Sequence, residues 1–350
     1  MVHFMTLDFF SLSKADLTDW FVSNNEATFR VKQLLDWVYN RGVDDVSQMS
    51  NLSLSLREKV AKAFSFSTLD FVRCSDSGDG ETYKYLWRLS DGKLVESVLI
   101  CSGERRTVCV SSQVGCAARC AFCASGQKGL FRNLSSAEIL EQVWRINGML
   151  KEKGERVSHI VFMGMGEPMD NYDSVVKAIQ QLISPDAVGI SQRRITVSTV
   201  GVVDGIRKLA SENFTVNLAL SLHAPNQEVR KKIMRYARKY PLEEVMDAMD
   251  VYAMKTKRDI TYEYILISGI NDQLNHADEL VDLVRSRQCT VNLIPYNPVP
   301  GLRLKRPQRQ DIEGFQRVLK RQRINHTCRY TKGDDIAAAC GQLAMMEEFA

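Results

Sequence analysis

Three cysteines, Cys116, Cys120 and Cys123, form a C-x3-C-x2-C array within VSSQVGCAARCAFCASG. Thiolates at that spacing on a flexible loop can fold around one face of a 4Fe–4S cluster. Three ligands leave one iron without a protein donor, open to a substrate or cofactor. The competing reading is a structural zinc site, with His223 or a further cysteine completing a set of four, although such sites usually use paired C-x2-C units. Burial as inert small residues fits poorly, because Gly115, Arg119 and Gly126 break any core periodicity.

Other residues suited to chemistry recur at regular distances. VFMGMGEP places Gly164, Gly166 and Glu167 where backbone and a carboxylate can come close to a cationic ligand. Ser198 in ITVSTVG, Ser221, Leu222 and His223 in SLHAPN, and Asn297 in LIPYNPVPG stand at corresponding points further on. Singly, each reads as a loop-start residue, and His223 as a satisfied structural histidine. Cys340 follows a run of alanines and precedes Gly341, with Asp334 and Asp335 upstream, so that segment could present a thiol. Cys101 and Cys289 read as small core residues.

The elements that must position these residues alternate strictly. Strand-like runs at 107–111, 159–163, 195–200, 216–222, 260–267 and 291–295 are each followed by a helical stretch, at about 136–152, 173–184, 203–211, 227–256, 275–287 and 310–322. Six βα units predict a partial (βα)6 barrel, with a doubly wound open sheet as the competing arrangement. In the barrel the motif residues collect at the C-terminal ends of the strands. Ser135 and Glu138 predict a capping box, and Ile139, Val143, Ile146 and Leu150 a buried helix face. Ahead of the barrel, 15–24, 29–42 and 54–64 read as helices, CSDSGDGE as an exposed turn, and 82–89 with 94–101 as a hairpin. The expected division is a helical accessory module over 1–75, a β-hairpin extension over 76–106, the barrel over 107–335 and a segment carrying Cys340 over 336–350.

Composition narrows the class. The chain has 350 residues, 45% hydrophobic and 25% charged, which excludes disordered, collagen-like and coiled-coil proteins. No apolar run reaches the roughly 18 residues of a membrane span, and MVHFMTLDFF reads as no secretory leader, so a cytoplasmic protein with free thiols is expected. Net charge is only +4, yet residues 301–332 carry ten Lys or Arg against two acids, which leaves −4 on the remainder. A second cluster comprises Arg230, Lys231, Lys232, Arg235, Arg238 and Lys239. Two basic clusters on a net-acidic body suit a phosphate-backbone track better than a merely solvated helix face.

The cysteine array, with Phe122 just before Cys123, resembles the radical S-adenosylmethionine superfamily. Together SSQVGC, CAFC, MGMGEP, SLHAPN, NLIPYNP and GDDIAAACGQLA, in this order, resemble the RlmN/Cfr family of RNA adenine methyltransferases over nearly the whole chain. The resemblance implies a 4Fe–4S cluster on Cys116, Cys120 and Cys123. It also implies S-adenosylmethionine, two molecules per turnover, held by Gly166, Glu167, Ser198, Ser221, Leu222, His223 and Asn297. Cys340 would be a methyl carrier, Cys109 would resolve the protein–RNA adduct through a transient disulfide with it, and Glu96 would accept a proton. Implied partners are 23S rRNA, tRNA and an electron donor such as flavodoxin or ferredoxin, acting on a monomer. Val114 in SSQVGC favours methylation at carbon 2 over the Cfr-like carbon 8. IMRYARKYP departs from the family's usual Pro-Ile-Asn run and puts the local loop shape in question.

Overall fold

A computed structural model describes residues 6–329, 333 and 335–344. Lys332 of the basic run, Asp334 of the acidic pair and the first and last few residues lie outside the described residues. Ten strands form one sheet: β1 (Leu69–Asp76), β2 (Thr82–Leu89), β3 (Leu94–Ser102), β4 (Arg105–Cys109), β5 (His159–Phe162), β6 (Ile195–Thr199), β7 (Asn217–Ser221), β8 (Ile260–Leu266), β9 (Cys289–Pro295) and β10 (His326–Cys328). They are hydrogen-bonded in sequence order. From β4 to β10 every pairing is parallel, and from β1 to β4 every pairing is antiparallel. β10 does not pair back to β4, so the barrel is partial.

All six expected βα units are present. Their helices are α4 (Ser136–Lys151), α5 (Tyr172–Ile183), α6 (Val203–Leu209), α7 (Gln227–Ile233) with α8 (Leu242–Thr256), α9 (Leu274–Val284) and α10 (Arg309–Arg321). Ser135 and Glu138 form the reciprocal capping box, and Ile139, Val143 and Ile146 are fully buried.

Four features differ from the sequence expectation. The helix expected over 227–256 is broken at Met234, which is extended, and a second helix starts after Pro241, a residue suited to a helix start because it has no N–H to leave unpaired. CSDSGDGE is not all turn: Cys74–Asp76 complete β1, whose exposed face lacked a hydrophobic signal. β10, three residues inside a basic run, adds a short seventh parallel strand. The hairpin of 76–106 is no separate layer, since β3 pairs directly with β4.

Ahead of the sheet lie α1 (Lys14–Ser23), α2 (Phe29–Leu35) and α3 (Leu54–Ala63). They dock on α4. The Trp144 indole donates to Val38 O at 2.8 Å and its ring meets Phe10 at 5.1 Å, while Lys151 Nζ donates to Tyr39 O at 2.8 Å.

Candidate active site

A cavity opens at the C-terminal ends of the parallel strands. Cys116, Cys120, Cys123, Gly166, Glu167, Ser198, Ser221, His223 and Cys340 all line it, together with Glu263 and Gly341. Two clefts at the opposite ends of the strands hold none of the motifs.

The cysteine loop is fixed by glycines that admit no side chain. Gly115 has φ +78°, and a Cβ there would lie 2.0 Å from Gly129 O. Gly166 has φ +107°, and its Cβ would meet Gln113 at 2.6 Å. Burial pushes the Cys116 thiol up to about 12 and that of Cys120 well above its ordinary value, and each is raised further by its neighbours' charge. Burial also raises Cys123, against backbone and side-chain donors at Ser125. Three buried thiols disfavoured as lone anions are a donor set that a cationic iron cluster would bring to the thiolate form. Among the described residues no three His, Cys, Asp or Glu side chains converge tightly enough for a single metal ion. The zinc reading therefore lacks its closed cage of four donors.

Glu167 is buried, and both its oxygens already accept backbone donors: Oε1 from Met169 N at 3.0 Å and Oε2 from Val200 N at 2.8 Å. It braces the ends of β5 and β6 at the cavity wall, while burial holds its carboxyl up at about 7. His223 accepts from Ile265 N at 3.1 Å through Nδ1, which puts its proton on Nε2, and its ring meets Phe122 edge-on at 4.8 Å. Burial, then the Arg230 charge, pull it down to about 3, so the ring is neutral. The Ser198 and Ser221 hydroxyls stand 3.3 Å apart.

Four expected site residues do not line the cavity. Leu222 is fully buried beneath it and donates its N–H to Glu263 O at 3.1 Å. Asn297 donates to Cys340 O at 3.2 Å and accepts from Arg306 at 2.7 Å, so it anchors the C-terminal segment. Glu96, buried on β3, pairs with Lys84 at 3.0 Å and accepts from Ala344 N at 3.0 Å. Cys109 is buried at the end of β4 within electrostatic reach of Cys340, and burial pushes its thiol up to about 12. Both thiols are free in this structure.

The Radical SAM superfamily model matches residues 110–283, and the ribosomal RNA large subunit methyltransferase N-terminal domain model matches residues 7–65. A probable dual-specificity RNA methyltransferase RlmN 2 of Protochlamydia amoebophila is 61% identical over 97% of this chain and 95% of its own length. The chain belongs to the RlmN family. An RlmN relative from Lysinibacillus sphaericus is 46% identical over 97% of this chain and 89% of its own length. A radical SAM methyltransferase from Sphaerobacter thermophilus, 41% identical, superposes with a TM-score of 0.94 and covers 96% of this chain and 99% of that one. An RlmN-family enzyme uses a 4Fe–4S cluster and S-adenosylmethionine, and the cavity supplies thiols for the first and convergent polar groups for the second.

Two residues in this RlmN-type site escaped the sequence reading. Glu263 projects from β8 into the cavity; Asn292 donates to its Oε1 at 3.0 Å and its buried Oε2 has no hydrogen-bond partner. A single acid inside ITYEYILI was the available signal. Arg230, grouped above with a basic surface cluster, is 0% exposed. It lies one helical turn before buried Ile233, on the inward side of α7.

Proposed function

We propose that this chain methylates carbon 2 of an adenosine in 23S rRNA and of the adenosine 3′ to the anticodon in tRNA, using Cys340 as covalent methyl carrier. The observation that carries this reading is that Cys340 shares one cavity with the three loop cysteines. When bound, the cluster and S-adenosylmethionine supply a methyl group and a carbon-centred radical, which an adenine carbon unreactive toward polar attack requires.

The chain's own residues do the rest. Cys116, Cys120 and Cys123 hold the cluster, while Gly166, Glu167, Ser198, Ser221 and His223 shape the cofactor's side of the cavity. Cys340 presents its sulfur from a segment bonded to that same loop: Ala124 N donates to Gly341 O at 2.8 Å and Ser125 Oγ to Leu343 O at 2.6 Å. Cys109, at the end of β4, is the resolving thiol in this reading. Glu96, beside Lys84 and joined to Ala344, is the proton acceptor in this reading. The adenine reaches a sulfur inside this cavity only if it is unstacked from its RNA. Residues 1–75 act as the RNA-binding accessory module, and a flavodoxin- or ferredoxin-type protein donates the electron to a cytoplasmic monomer.

Nucleoside mass spectrometry of rRNA and tRNA, from cells with and without the gene, tests the reading. The expected product is 2-methyladenosine in both RNAs, and 8-methyladenosine would overturn the choice of carbon. Cys340→Ala should bind its cluster and make no product; product from that variant would reject the carrier role.

A further inference from the structure

We propose that Arg230 is the internal counter-cation of the cluster on the cysteine loop and raises the potential at which that cluster accepts its electron. This rests on the function proposed above. The Arg230 guanidinium is buried with no exposure. It donates to Val200 O and, at 3.5 Å, to Tyr240 O, while its Nε is buried without a hydrogen-bond partner. Among the described residues no carboxylate pairs with it. An arginine does not shed its proton in a protein, and a buried unpaired charge costs several kcal/mol. Its site must therefore provide an anion.

The cysteine loop is the group the backbone brings to it: Ala121 N, next to Cys120, donates to Ile233 O at 2.8 Å at the end of the helix that carries Arg230. Val200, whose carbonyl accepts from the guanidinium, lines the same cavity as the three loop cysteines. Uptake of one electron from an external one-electron donor adds one negative charge to a cluster already held by three thiolates. A fixed cation shielded from water favours that reduced state, because low polarisability strengthens the attraction.

The test uses the full chain, reconstituted without oxygen, as wild type, R230M, R230Q and R230K. Iron and sulfide content comes first: a wild-type chain that holds no 4Fe–4S cluster sinks the functional reading itself. Redox titration followed by electron paramagnetic resonance then addresses Arg230. In R230M and R230Q the ratio of reduced to oxidised cluster at a fixed potential should fall at least tenfold, a midpoint lower by about 59 mV for a one-electron couple. R230K should stay near wild type, and an unchanged midpoint in both uncharged variants overturns the proposal. Where a variant folds but loads too little cluster to titrate, the cluster-free chains decide. Alkylation of Cys120 at fixed pH, read by peptide mass spectrometry, should be slower in R230M and R230Q but not in R230K. Equal rates in all four chains would refute it.

Discussion

Glu167, Glu263 and Cys340 show how one cavity sets proton affinities in different ways. Burial keeps the Glu167 carboxyl protonated up to about pH 7 in the folded chain, against an ordinary value of 4.5. Its contribution to stability is therefore complete below pH 4.5 and is lost as pH rises through 7. In urea unfolding of the cluster-free chain, wild type should lose up to about 3 kcal/mol relative to Glu167→Gln between pH 4.5 and 8. A difference that stays flat with pH would contradict this. Cys340 keeps surface toward the cavity but is hemmed in by protein, and its thiol is raised first by burial and next by the Glu263 charge. Glu263→Gln removes the second cause, so the alkylation profile of Cys340 should move to lower pH. A profile unchanged or moved upward would remove Glu263 from the thiol's surroundings.

At the scale of elements, the site depends on turns that only glycine can make. Gly115→Ala places a methyl group against Gly129 O in a left-handed backbone conformation, at a cost of about 1–3 kcal/mol. Calorimetry of the cluster-free chain should show lower thermal stability, and the reconstituted variant should bind less iron. Normal loading at normal stability would mean that the loop tolerates another path. Most of these elements were legible in the sequence. The strand-like runs marked β4 to β9 to within a residue or two, and the capping box marked the start of α4. What could not be read was set by tertiary structure. β10 forms because β9 offers an edge, and His326, Thr327 and Cys328 have no pattern of their own. Arg230 looked like its exposed neighbours because charge in a sequence does not say which side of a short helix faces inward. The cysteine array and glycine motif were legible because cluster ligation and close backbone approach demand particular residue types. Asn297 and Leu222 sit at the expected strand ends, yet one anchors a neighbouring segment and the other packs below.

For the whole molecule, the uneven charge becomes a surface property. Arg317, Lys320 and Arg323 are exposed along and just beyond α10, and Lys232, Arg235, Arg238 and Lys239 are exposed at the end of α7 and just beyond it. Replacing Arg317, Lys320 and Arg323 with glutamine should weaken RNA binding about equally for all sequences. The slope of log affinity against log salt should drop by about 0.7–0.9 for each phosphate no longer neutralised. A weakening confined to one RNA sequence would instead point to base recognition. The segment bearing Cys340 has a different consequence. Asn297 holds its carbonyl, Ala124 and Ser125 hold the next turn, Gln342 reaches Pro298 O at 3.1 Å, and Glu96 receives Ala344 N. The sulfur is thus a fixed post rather than a swinging arm. Its positional entropy is surrendered once, when the chain folds, so each encounter meets the methyl carrier at high effective molarity. The travel that remains falls to the nucleic acid, and target choice then includes how readily a given adenosine leaves its stack.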